Sequence, residues 1–261
     1  MKIAFVGDSF CAEFSQRHGL GYDDIRNQIL NANVTPKEKQ NALEEGGMLE
    51  NRKGYLAWTQ LLLEHYQATP IQKGISGDCF FHSFLRLLPV VDDADLVIIC
   101  VSQPERLANH KLAPMNSWVA ERGTGILAGS DNLKTLYKAS LDYYKHIFSP
   151  DFHMISHLGI LRTLDDLLLA KNKKCIWFGS FRDSFGDTDD DRLNKHIKAL
   201  LPYKVKSGIN DYRPLIEISE KNHPQIPYSN HFTKEQNEDL FEYIKNIIDN
   251  KLFAPNCTKS R

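Results

Sequence analysis

Val6-Gly7-Asp8-Ser9-Phe10, VGDSF, follows directly on the first apolar run of the chain, KIAFV. A serine in that place has two readings. It is a nucleophile presented at the end of a strand, or it is the cap that a strand-to-helix turn needs. A serine hydroxyl is a weak nucleophile until a base takes its proton. Histidine suits that task, with an ordinary pKa of about 6.5, and the chain contains ten histidines. Acyl chemistry also needs preorganised donors for the developing oxyanion. Backbone amides meet that need best where a glycine lets them approach a substrate closely.

Other chemistry-bearing clusters carry less. His153 and His157 have the i, i+4 spacing of a helical metal pair, but no third ligand accompanies them. The run DTDDD at 187–191 lacks the glycine and closing glutamate of a calcium loop. It fits the start of a helix DRLNKHIKALL, where carboxylates complement the dipole. GTGILAG at 123–129 follows no strand, so it is not a dinucleotide fingerprint, and no Gly-Lys-Ser/Thr P-loop occurs. The expectation is no metal and no organic cofactor.

The elements that must position these residues alternate. KIAFVG (2–7), ADLVIICVS (94–102) and KKCIWFGS (173–180) are predicted as buried parallel strands, with TPIQKGIS (69–76) as a weaker fourth. Helices are predicted over 55–66, 132–148, 154–171 and 233–253. The last is capped by Thr233 with Gln236 as its capping-box partner. Alternation of this kind gives a doubly wound parallel sheet, and such sheets bind ligands beyond the carboxyl ends of their strands. Ser9, Ser76, Ser102 and Ser180 all fall at or just past such ends. Residues 15–53 and 108–131 do not fit a minimal sheet of this type, and they are taken as an insertion and a long loop.

Composition narrows the function classes. At 261 residues one core can bury roughly 70–75% of the unfolded chain's surface, so one domain needs no disulfide or metal for stability. A net charge of −1 gives no electrostatic case for nucleic acid or an anionic membrane. No apolar stretch has the length of a membrane span. The five cysteines form no CxxC pair, which suits reduced thiols. The N-terminus shows no secretory n- and h-region. A cytoplasmic place of synthesis is expected, with export by a route that needs no N-terminal signal left open.

Four stretches, taken in order, resemble the sequence blocks of the SGNH/GDSL hydrolases. FVGDSF is similar to the block that carries the nucleophile, which implies Ser9. GISGDCFFHSFLRL (74–87) resembles the second block, in which a glycine amide lines the oxyanion hole, which implies Gly77. DLVIICVSQPERL (95–107) stands where the family strand ends in Gly-x-Asn-Asp. SNHFTKEQNEDLFEYI (229–244) resembles the last block, which implies His231 as the base. The resemblance spans residues 3 to about 247, apart from the segments 15–53 and 108–170. It implies one α/β domain over 1–261 of the flavodoxin-like SGNH type, three layers α/β/α around a parallel sheet. Insertions are expected after strands 1 and 3, at about 15–53 and 108–170.

The chain departs from the family pattern twice. Pro104 occupies the place of the oxyanion asparagine, and proline has neither an N–H nor a donor side chain. Gln103 or Ser102 can replace that donor. Tyr228 occupies the place of the aspartate three residues before the histidine; Glu217, Glu220 or a backbone carbonyl can orient the imidazole instead. Asp8 is expected to cap the turn and support the site from behind. Arg106 binds an acidic or polar substrate group, or pairs with Glu105 or another carboxylate. Asn230 turns the chain before the last helix or lies near the substrate. The implied activity is hydrolysis of carboxylic esters through a serine acyl-enzyme, with O-acyl groups on carbohydrate as a substrate class. Two alternatives stay open: a binding protein of the same fold without turnover, and acyl transfer to another alcohol. Oligomeric state is left open.

Overall fold

Lys2–Val6 forms strand β1 because its apolar residues can be buried on both faces of a sheet. In the computed structural model the described residues are 1–8, 10–11, 35, 57–75, 78–106, 108, 120, 131–180, 184–185, 203–220, 232 and 234–253. Among them, β1 is followed by α1 (Trp58–His65), β2 (Thr69–Gln72), α2 (Phe80–Leu87), a 3-10 turn (Val91–Asp93) and β3 (Leu96–Val101). Then come α3 (Asp131–His146), α4 (Pro150–Ala170), β4 (Cys175–Gly179), β5 (Ile209–Pro214), α5 (Leu215–Glu220) and α6 (Lys234–Ile247). A π-helical turn, Ile248–Leu252, ends the series.

The five described strands form one sheet in the order β2-β1-β3-β4-β5. Every pairing is parallel. From β1 the chain passes to one side for β2 and returns to the other side for β3. The β1/β3 crevice is therefore the topological switch point where doubly wound sheets place their ligands.

Strand alternation sends successive side chains to opposite faces, and two cores result. Ile3 and Phe5, Leu96, Ile98 and Cys100, and Ile176 and Phe178 pack with Trp58 and Leu62 of α1 and with Leu240, Ile244 and Ile247 of α6. The opposite face carries Ala4, Val6, Val97, Ile99, Val101 and Trp177 against Phe80 and Leu87 of α2 and Leu161, Leu164 and Leu168 of α4. Helices therefore cover both faces of the sheet. Each fully buried large side chain contributes roughly 1.5–3 kcal/mol, so these two layers hold the carboxyl edge in place.

The predicted elements recur with shifted ends. The strand expected at 69–76 ends at Gln72. The helix expected from residue 154 starts at Pro150, where the Ser149 hydroxyl accepts from the Phe152 N–H at 3.3 Å. The terminal helix is α-helical only to Ile247, and Thr233 lies outside the described residues. β5 is absent from the sequence expectation. Its INDYRP is polar, as suits a strand at one edge of the described sheet, and Asp211 bonds both Arg213 and the Tyr243 hydroxyl of α6. The insertion at 15–53 lies outside the described residues apart from Thr35, and the loop expected at 108–131 lies outside them apart from Ala108, Ala120 and Asp131, the last of which already begins α3.

Candidate functional site

The carboxyl end of β1 turns at Gly7, whose φ is +149°. A Cβ there would lie 2.4 Å from the Cys100 carbonyl oxygen of β3, so only glycine lets the two strands stay this close at their ends. Asp8 follows and is fully buried. Its Oδ1 accepts from the Phe10 N–H at 3.1 Å and from the Ser180 hydroxyl at 3.2 Å. Its carbonyl accepts the Cys11 N–H at 3.1 Å. Asp8 thus caps the turn that follows β1 and fastens it to the end of β4. Burial raises its carboxyl pKa, against the lowering effect of Arg106.

Arg106 is the cation that answers this carboxylate. Its Nη2 lies 3.5 Å from Asp8 Oδ2, and its Nη1 donates to the Asp78 carbonyl at 3.2 Å. One guanidinium therefore joins the β1 turn, the segment before α2 and the loop after β3. Of the two expected kinds of carboxylate partner, Glu105 or another, the one shown is Asp8, which is sealed from water and needs a counter-charge. The arginine is mostly buried in the frame of the site.

The second block sits against the first. Ile75 N–H donates to the Gly7 carbonyl at 3.2 Å, and Asp78 N–H to the Ile75 carbonyl at 3.1 Å. A Cβ on Gly74 would lie 2.5 Å from Cys11 Sγ, so the two turns interlock. Ser83 Oγ stands 2.7 Å from Asp78 Oδ2 and 3.2 Å from the Gly7 carbonyl, and Arg86 pairs with the same Asp78 oxygen.

The loop after β3 is gripped by the helices that follow. Tyr144 hydroxyl donates to the Glu105 carbonyl at 2.7 Å. His153 lies 2.5 Å from the Tyr143 hydroxyl and bonds the Pro104 carbonyl. His157 Nε2 bonds the Ser184 carbonyl at 2.8 Å, while Ser184 Oγ donates to the Val101 carbonyl at 2.6 Å. Both histidines thus hold backbone carbonyls and their neighbours, which explains their spacing without a metal. Burial lowers the His157 pKa to about 4. Ser102 is fully buried, and its hydroxyl has no hydrogen-bond partner among the described residues. Gln103 beside it is half-buried.

The last block meets the first through aromatic rings. Phe232 and Phe10 pack edge to face, with centroids 5.2 Å apart. Asn237 of α6 bonds both sides of this contact. Its Oδ1 accepts the Trp58 N–H at 3.0 Å, and its Nδ2 donates to the Phe232 carbonyl at 3.3 Å. The Trp58 indole N–H in turn donates to the Phe10 carbonyl at 2.7 Å. Sequence reasoning missed Asn237 and Trp58, because nothing local links residues 179 apart.

Of the sequence-predicted site residues, Asp8, Ser102, Gln103 and Arg106 are described, and the carboxyl edge gathers them. Ser9, Gly77, Asn230 and His231 lie outside the described residues, as do Tyr228 and the run 187–191. Glu217 and Glu220 lie on α5. Asp78, Cys79 and His82, which come together at the start of α2, were also missed. Their signal was local, an Asp-Cys-x-x-His run. No described helix is long and apolar enough to cross a membrane. Compared with known proteins, the chain matches no protein-family model and no curated protein.

Proposed function

We propose that this chain hydrolyses carboxylic esters through a serine acyl-enzyme. The observation that carries the reading is the Phe10–Phe232 contact. These are the residues that directly follow Ser9 and His231 in the sequence, so the contact brings the first and last blocks together, which supports Ser9 as nucleophile and His231 as base. The close fit of Gly74 and Ile75 against the β1 turn supports the same reading for the nearby Gly77.

In this mechanism His231 takes the Ser9 proton as Oγ forms its bond to the ester carbonyl carbon. The tetrahedral oxyanion is held by the amides of Ser9 and Gly77. The buried Ser102 hydroxyl, unsatisfied among the described residues, supports a third donor where Pro104 has none. Collapse breaks the ester C–O bond, and the imidazolium gives its proton to the leaving alcohol. Water then attacks the acyl-enzyme by the same route in reverse. Asp8 and Arg106 position the turn and touch no substrate. O-acyl groups on carbohydrate are the proposed substrate class. The four described cysteines are free and buried, which suits a reducing, cytoplasmic setting.

A second reading, binding without turnover, draws on the buried Pro104 where a donor is expected. Fluorophosphonate labelling separates the two, since only an activated serine reacts. Labelling that disappears in Ser9→Ala supports the hydrolase; an unlabelled, folded chain supports the binding protein.

A further inference from the structure

At the start of α2, Asp78, Cys79 and His82 each bring one possible donor atom into the same small volume. A carboxylate oxygen, a thiol sulfur and an imidazole nitrogen lie within 4.8 Å of one another. Asp78 and Cys79 are buried and His82 is partly exposed. The geometry points to a site for one divalent transition-metal ion of the zinc class, held by these three side chains with water as the fourth ligand.

The donor set is mixed soft and hard, as zinc prefers. A tetrahedral zinc keeps its ligand atoms roughly 3–4 Å apart. The Asp78 Oδ1 to His82 Nδ1 distance of 3.5 Å already meets that spacing. Oδ1 is the oxygen turned to the imidazole, while Oδ2 is held by Ser83 and Arg86. A ligating carboxylate anchored through its second oxygen is the usual outer-shell arrangement of a metal site.

Charge selects the metal further. One carboxylate and one thiolate neutralise a dication, and the thiol proton leaves to solvent on binding. The first turn of a helix and the Arg86 guanidinium both disfavour a bare cation there. The thiolate is therefore required, and oxygen-seeking magnesium and calcium are excluded.

Cobalt(II) titration of the full chain tests this, because cobalt in a thiolate site acquires a sulfur-to-metal charge-transfer absorption. One equivalent of cobalt is expected to produce that band, and zinc, but not magnesium, to remove it. Cys79→Ser is expected to abolish it. His82→Gln, at a partly exposed position, is expected to fold normally and weaken cobalt binding at least about tenfold. Ser9→Ala is expected to bind cobalt unchanged, so the result is independent of the ester reading. No band, a band that survives Cys79→Ser, or unaltered affinity in a folded His82→Gln chain overturns the site.

Discussion

Phe10 and Phe232, separated by most of the chain, meet edge to face with an interplanar angle of 67°. The contact closes a loop of interactions that also passes through Trp58 and Asn237. It fixes the turn after β1 against the approach to α6, the two places from which a nucleophile and its base would come.

Asn237→Ala tests this closure. It removes a buried acceptor from Trp58 and a donor from the Phe232 carbonyl. Each orphaned group costs about 1–3 kcal/mol, so a loss of roughly 2–6 kcal/mol is expected in denaturant melts. Esterase kcat is expected to fall further than the folded fraction explains. A variant as stable as the parent would show that the bonds are not formed.

Arg106 is expected to act as a brace. Arg106→Met leaves the buried Asp8 carboxylate without its cation, at a cost of about 3 kcal/mol. Arg106→Lys keeps the charge but cannot reproduce the fork that spans Asp8 and the Asp78 carbonyl. In folded Arg106→Lys, kcat is expected to drop with KM nearly constant. A rise in KM at constant kcat would instead make Arg106 a substrate ligand.

Gly7→Ala meets a backbone wall. Its φ of +149° is strained for alanine, and the added Cβ would stand 2.4 Å from the Cys100 carbonyl. Backbone strain alone costs roughly 1–3 kcal/mol. The thermal midpoint is expected to fall by several degrees at least, with activity lost at temperatures the parent tolerates.

His157 gives the fold an acid limit. Its imidazole is buried and neutral, with a pKa lowered to about 4 by that burial. Unfolding restores an ordinary value near 6.5 and lets it take a proton. Its contribution is therefore complete above about pH 6.5 and is lost as pH falls through about 4. The shift corresponds to roughly 3 kcal/mol. His157→Gln keeps a donor for the Ser184 carbonyl but does not titrate. Its stability is expected to decline less than the parent's between those pH values. Parallel decline in the two proteins would place the acid sensitivity elsewhere.

The sheet was largely legible in the sequence because its central strands are apolar on both faces. β1, β3 and β4 are buried throughout except for Lys2. β5 was illegible for the opposite reason, since an edge strand whose Asp211 and Arg213 bond one another carries no apolar run. Asp8 was recognisable as a cap because Asx turns are local. Its partner Arg106 was not, because long-range ion pairs leave no spacing to read. His153 and His157 show the converse case. Their helical spacing is real, yet one serves the loop after β3 and the other the backbone at Ser184. The Asp78–Cys79–His82 cluster was written in adjacent letters and needed only the helix to bring its atoms together.

The most direct measurement is hydrolysis of p-nitrophenyl acetate by the parent chain and by Ser9→Ala, purified identically and matched for folding by circular dichroism. The expected result is turnover by the parent and a loss of at least about a thousandfold in the variant. Equal rates in the two proteins, or no turnover by a parent that also resists fluorophosphonate, would contradict a serine nucleophile at the end of β1.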